Sequence, residues 1–266
     1  MDKVKTGNIV GRKSYGKDII FIVTKIIEKE NIAILKGVYE RIEADSPISD
    51  LELIEEKVLA KKIEDDSEKL EHQIIDFKRQ TKEKKLTGKI LHLDGDRKYS
   101  YKSYMYYKKS KLNSVVKNIP EYRQPKEVYK LLFFYNPDIL IITGHDGMLN
   151  KESNYYNIDN YRNSKYFIEA VKEARRYERE YFKSLVIFAG ACQSYYEALI
   201  SAGANFASSP SRILIDFIEP LIVAKKVAVT NNEKYLTIDD IYKELRDGKR
   251  GIDGIGAQGK MQKIKT

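Results

Sequence analysis

Two runs of the chain are apolar at every position and then stop at small polar turns. One is Ile139-Leu140-Ile141-Ile142, which leads into Gly144-His145-Asp146-Gly147; the other is Leu185-Val186-Ile187-Phe188-Ala189, which leads into Gly190-Ala191-Cys192-Gln193-Ser194. Unbroken apolar character over so short a span fits strands of a parallel sheet that is covered on both faces. From residue 88 onward, strand-like and helix-like patterns alternate. Strands are predicted at 89–93, 114–117, 139–142, 185–189, 204–207 and 226–230, and helices at 97–109, 120–135, 164–181, 192–202, 211–225 and 238–246. This alternation predicts an α/β fold, a parallel sheet with helices on both faces and right-handed crossovers.

The rest of the chain has other patterns. Residues 7–13, 19–25 and 32–37 are strand-like and rich in Ile and Val, with a turn at Ser14-Tyr15-Gly16-Lys17. They predict a small SH3-like β module over residues 1–50, of marginal independent stability and suited to docking more than to catalysis. Residues 51–87 carry dense charge of both signs and read as a charged helical linker. Glu52 to Ala60 has the spacing of one amphipathic helix, Glu64-Asp65-Asp66-Ser67 breaks it, and 78–85 is basic and exposed. The α/β domain then spans 88–247. Residues 248–266 are glycine-rich with little apolar periodicity, which predicts a mobile basic tail.

Composition narrows the function classes. The 266 residues carry a formal charge of +9, and Lys98, Lys102, Lys108, Lys109 and Lys111 lie among tyrosines. Such interleaving can stack single-stranded nucleic acid, but the spacing fits a solvated helix face better, so no nucleic-acid partner is expected. No apolar stretch approaches the ~18 residues of a membrane span, and the longest, 213–224, is interrupted by Asp216, Glu219 and Pro220. One cysteine excludes an intrachain disulfide. The expectation is a soluble cytoplasmic protein without membrane insertion, metal or cofactor.

Chemistry enters at the two strand ends. In open α/β sheets, reactive groups gather outside the carboxyl ends of the strands, so His145 and Cys192 are candidates for one Cys-His dyad. A thiolate is the nucleophile, and a nearby imidazole lowers the thiol pKa and later protonates the leaving amine. The helical spacing after Cys192 places it at a helix N-terminus, where amides and dipole favour an anion. Taken singly, a buried Cys is an inert small hydrophobe and a His after a strand is a hydrogen-bonded structural residue. Their equivalent positions after two strands, each shortly behind a glycine, Gly144 and Gly190, set the pair apart.

The residues also carry a resemblance. Pro137 through Gly147, Tyr161-Arg162-Asn163-Ser164-Lys165-Tyr166-Phe167, Val186 through Ser194 and Gly203 through Pro210 resemble the YabG family of sporulation-specific cysteine peptidases, as do residues 7–16 and 32–37. The resemblance covers most of the chain. It implies a cytoplasmic enzyme of the sporulating cell, associated with the spore coat, that processes spore coat and other sporulation proteins after Arg or Lys. It implies His145 and Cys192 as the catalytic pair. The wider arrangement is similar to the caspase, gingipain and clostripain group, which implies a caspase-like fold. This chain departs from that group in having Asp146 directly after the His, with Gly147 one position later.

From these readings the oxyanion donors are the Cys192 amide and an amide near Gly144 or Gly147. Asp94 and Asp96, just past the first strand, and Asp216 are candidates for the acid that holds an Arg side chain, with Glu219 as another. Asp94-Gly95-Asp96 reads equally well as a turn or helix cap. Self-processing is expected near Arg79 or Lys85. Two rival functions stand beside the peptidase. Leu91-His92-Leu93-Asp94-Gly95-Asp96 is an apolar strand followed by Asp-x-Asp, as in Mg²⁺-dependent haloacid-dehalogenase phosphatases. A β module with a basic, Tyr-rich surface would also serve a non-enzymatic coat or scaffold protein.

Overall fold

The alternation Val10, Phe21 and Val23, Ala33 and Leu35 on one side of three successive strands builds the interior of the first unit. The strands are β1 (Ile9–Arg12), β2 (Phe21–Ile27), β3 (Ile32–Gly37), β4 (Glu43–Pro47) and β5 (Leu51–Leu53). They form an antiparallel sheet of order β4-β3-β2-β1-β5. This is a computed structural model, and it describes residues 4–55, 58, 86–149 and 154–262. The chain divides into two compact units, Met1–Thr81 and Lys82–Thr266.

The helix expected from Glu52 is corrected at its start. Leu51 to Leu53 pair with Arg12 to Val10 as a strand, because Leu51 turns into the core while Glu52 faces out to an ion pair with Lys17. Most of the expected linker, including Arg79 and Lys85, lies outside the described residues.

The second unit is a mixed α/β layer structure. Its strands are β6 (Ile90–Asp94), β7 (Ser114–Asn118), β8 (Ile139–Thr143), β9 (Val186–Ala189), β10 (Phe206–Ser208), β11 (Tyr235–Leu236), β12 (Ile252–Gly254) and β13 (Ala257–Gln258). Its helices are α1 (Arg97–Lys109), α2 (Gln124–Tyr135), α3 (Ser164–Glu180), α4 (Tyr196–Ser201) and α5 (Glu219–Val229). The central sheet has six strands in the order β12-β10-β9-β8-β6-β7. All neighbours are parallel except β12, which runs antiparallel to β10.

Register explains the layers. Leu91 aligns with Leu140 and Ile187, and Leu93 with Ile142 and Ala189. These side chains share a core with Val128 and Leu132 of α2, Phe167, Ala170 and Val171 of α3, and Leu199 of α4. The alternate positions face the opposite layer, where His92 bonds Tyr107 of α1 and α5 packs along β8 and β9. Because β7 lies on one side of β6 and β8 on the other, the strand order reverses between β6 and β8, which places a crevice at their carboxyl ends.

The sequence-predicted elements agree closely from 88 to 189; beyond that, the helix expected at 238–246 is two 3-10 turns, Ile238–Asp240 and Tyr242–Glu244, and three further corrections follow. Of residues 226–230, expected as a strand, 226–229 are the last turn of α5 and Thr230 is its C-cap, because Val227 and Ala228 continue the buried face begun by Leu221 and Ala224. The helix expected from 211 begins only at Glu219, with Pro220 in its first turn, since Ser209 and Arg212 adopt left-handed φ of 64° and 53°. The tail expected to be mobile is ordered through 262. Ile252 is fully buried and β12 closes the sheet edge, while β13 pairs with β11. Gly254 permits that edge, because a Cβ there would lie 2.2 Å from the Asn205 carbonyl oxygen. Among the described residues no helix is long and apolar enough to cross a membrane.

Candidate active site

His145 follows β8 and Cys192 follows the adjacent β9, so neighbouring parallel strands deliver both residues to the same end of the sheet. Both are fully buried. The His145 backbone is pinned on each side: its N–H donates to Glu121 Oε1 at 2.8 Å, and its carbonyl accepts from Asn163 Nδ2 at 2.9 Å. The Tyr99 ring of α1 packs against the imidazole, with centroids 5.9 Å apart.

Cys192 lies in a turn and not, as expected, at a helix N-terminus. Gln193 has a φ of 56°, which interrupts helical geometry, and α4 starts only at Tyr196. Ser194 shapes the turn through its Oγ, which accepts from the Ala191 N–H at 2.9 Å. Gly190, at φ 110°, enters the turn where a Cβ would lie 2.4 Å from Ser208 Oγ. Left-handed non-glycine residues at 193, 209 and 212 concentrate backbone strain around this turn, as functional sites often do.

Asp146, the departure from the wider group's pattern, joins the two turns. Its carboxylate accepts from Ser164 Oγ, from Ser194 Oγ at 2.8 Å, from the Gly147 N–H at 2.9 Å and from the Asn163 N–H at 2.8 Å. Burial pushes its pKa up to about 6, and these donors oppose that rise. The Gly147 amide is therefore engaged by Asp146, whereas Gly144 packs against Glu121.

The segment between β10 and α5 covers Cys192. Ile215 N–H donates to Sγ at 3.4 Å, and Sγ donates back to the Ile215 carbonyl at 3.6 Å. The Gln193 N–H donates to the Ile213 carbonyl at 3.2 Å. Two residues on, buried Phe217 packs on Tyr99 with centroids 5.6 Å apart. One stretch of backbone thus roofs the thiol and touches the aromatic wall beside His145.

The candidate acids fall in three different environments. Asp94 is fully buried: Oδ2 accepts from Thr143 Oγ1 at 2.8 Å and Oδ1 from the Asp96 N–H at 2.8 Å. It ends a chain that runs from Tyr107 through His92 and Thr143. Asp96 is the N-cap of α1 and accepts from the Lys98 and Tyr99 amides, so the reading of this stretch as a cap holds for Asp96. Asp216 is half-buried and directly follows Ile215. Glu219 is buried, accepts from the Asp216 and Arg246 amides, and is pushed up to about 7 chiefly by that burial. Among the described residues, no group of three or more His, Cys, Asp or Glu side chains is arranged to hold a metal ion.

Sequence reasoning passed over Glu121, Tyr99, Ser194 and Ile215. The last three looked like ordinary helix, turn and core positions. The one available sign of Glu121 was indirect: glycines at 95 and 144, each following a strand.

Comparison with known proteins places the chain. It is 36% identical over 281 aligned residues to the sporulation-specific protease YabG of Bacillus subtilis (strain 168), covering 95% of this chain and 94% of that protein. Among solved structures, the receiver domain of the histidine kinase CKI1 from Arabidopsis thaliana aligns with 44% of this chain and 79% of its own, at 16% identity and a TM-score of 0.29, too low to support a comparison. The profile of the YabG peptidase U57 family matches residues 5–265, and the chain belongs to that family of peptidases.

Proposed function

We propose that this peptidase is a cysteine endopeptidase in which Cys192 is the nucleophile and His145 the acid/base. The observation that carries the reading is the arrival of both residues at the carboxyl ends of adjacent parallel strands, with their turns bonded through Asp146 and Ser194. In the reaction, His145 holds the thiol proton while the thiolate attacks the scissile carbonyl. It then hands that proton to the departing amine, and water hydrolyses the acyl-enzyme. The Cys192 amide, with an amide near Gly144, takes the oxyanion; the engagement of the Gly147 N–H by Asp146 supports Gly144 over Gly147. His after the third parallel strand and Cys after the fourth also support the caspase-like arrangement. Membership in a peptidase family weighs against the phosphatase and scaffold readings.

The enzyme cleaves after Arg, then Lys, and its substrates are spore coat and other sporulation proteins in the cytoplasm of the sporulating cell; of this, the name of its Bacillus relative supports the role in sporulation. Of the four candidate acids, Asp216 is favoured: it adjoins the residue that touches the thiol and is half-buried, with one oxygen accepting from the Ile218 N–H, whereas Asp94 and Glu219 are buried and Asp96 caps α1. Self-cleavage near Arg79 or Lys85 follows from this specificity. Equal recovery of intact chain from active and Cys192→Ala preparations after long incubation would remove that step. The dyad itself is tested by Cys192→Ala and His145→Ala: each should abolish peptide hydrolysis with the circular dichroism spectrum unchanged, and substantial cleavage by either variant refutes the assignment.

A further inference from the structure

Glu121 stands at the start of the 3-10 turn that leads from β7 into α2, and only 6% of its surface is exposed. Oε1 accepts the His145 backbone N–H at 2.8 Å, and the same oxygen stands 3.9 Å from His145 Nδ1. The place it occupies is shaped from two directions. A Cβ at Gly95, after β6, would lie 2.2 Å from Oε1, and a Cβ at Gly144, after β8, would lie 2.5 Å from it. Two separate strand ends thus lack side chains where this carboxylate sits.

Burying a carboxylate is costly unless charge or hydrogen bonds compensate. Capping the His145 amide brings the same oxygen to 3.9 Å from Nδ1, where a charged imidazole would offset the buried carboxylate. Resting on the reading of His145 as acid/base, we infer that Glu121 is the positioning residue of the dyad. It holds the ring with Nδ1 toward the carboxylate and favours the imidazolium, so that Nε2 exchanges protons with the thiol and the leaving amine. Glu121 touches neither substrate nor thiol in this role and acts through His145.

The other titratable groups around His145 make the expected sign clear. From α1, Tyr99 packs on the ring, and Lys98 and Lys102 stand 6.0 and 5.9 Å from the Tyr99 centroid. Asp146 is turned to Ser164, Ser194, Gly147 and Asn163, and Asp94 to Thr143 and Asp96. From the β9 side comes Cys192, and above the thiol Asp216 follows Ile215. The lysines oppose a charged imidazole, so removing the Glu121 charge should lower the His145 pKa.

The test is the pH dependence of kcat and KM on a fluorogenic Arg peptide, for the wild type, Glu121→Gln and Gly95→Ala. Glu121→Gln should lower kcat roughly 10- to 100-fold and leave KM within about two-fold. It should also move the alkaline limb of kcat/KM down by about one to three pH units. Gly95→Ala retains the glutamate and displaces it, so its alkaline limb should move in the same direction by less. This variant carries the test should Glu121→Gln fail to fold. Unmoved alkaline limbs, with any loss of rate matched by a loss of thermal stability, overturn the inference and leave Glu121 a structural cap. Cys192→Ala and His145→Ala run alongside keep the two proposals apart: if they are inactive while the Glu121→Gln profile is unmoved, the dyad stands and only the role of Glu121 falls.

Discussion

Ser194 Oγ donates a 2.8 Å hydrogen bond to Asp146 Oδ2, and through it the turn bearing Cys192 is fastened to the turn bearing His145. Both partners are fully buried, so water cannot replace the bond. Since Ser194 Oγ also accepts from the Ala191 N–H, one hydroxyl sets the shape of the Cys192 turn and its distance from β8. Asp146→Ala leaves several buried donors without their acceptor and should destabilise the fold by about 3 kcal/mol or more. Asp146→Asn keeps the shape and one good acceptor. It should fold, with hydrolysis reduced by roughly ten-fold or more through misplacement of the two turns. Urea unfolding and peptide hydrolysis on the same preparations check both.

Cys192 is the chain's one cysteine, so the mass added by iodoacetamide reports on this thiol alone. With Ile215 bonded to Sγ and the residue fully buried, alkylation requires the 213–217 segment to move. The native protein should react roughly ten-fold or more slowly than the same chain in urea. Phe217→Ala loosens the segment from Tyr99 and should speed alkylation under native conditions. Equal rates in native and unfolded protein would show that the roof does not protect the thiol.

Glu219 supplies a pH dependence whose sign is fixed by its burial. Its pKa is raised from 4.5 to about 7, so the folded state favours the protonated form. The stabilisation from this group is therefore full below about pH 4.5 and is lost as pH rises through about 7. Glu219→Gln does not titrate. The melting temperature of the wild type, relative to this variant, should be highest at and below about pH 4.5 and decline toward pH 8. A constant difference across that range would mean the burial does not perturb Glu219. Asp146, raised to about 6 by the same cause, acts in the same direction and is common to both proteins.

Asp216→Asn tests the acid of the proposed specificity pocket. A guanidinium paired to a carboxylate gains charge-assisted hydrogen bonds that an amide does not match. Turnover of Arg peptides should fall by about two orders of magnitude, with little change for a peptide bearing a neutral residue at that position. At Asp96, the N-cap of α1, Asp96→Ala should cost helix-cap stability, about 1 kcal/mol, and leave the preference for Arg intact. Competition assays with paired fluorogenic peptides separate the two.

The sequence by itself determined the layer structure of the second unit and the two positions that carry the proposed chemistry. Continuous apolar runs at 139–142 and 185–189 and the helical spacing of 97–109, 120–135 and 164–181 are local patterns, and burial on both sheet faces turns them into strands and helices with little ambiguity. Tertiary structure decided what local pattern leaves open. Residues 226–230 are β-branched enough to read as a strand, and only the face that Val227 and Ala228 share with Leu221 and Ala224 holds 226–229 in α5. Residues 248–262 carry too little periodicity to announce β12, which exists because β10 offers a sheet edge and Gly254 lets it approach. Glu121, Asp146 and Ile215 gain their places at the site from contacts spanning 24, 48 and 23 positions of chain. Such contacts depend on how strands are ordered across the sheet, and no short window of sequence encodes that order.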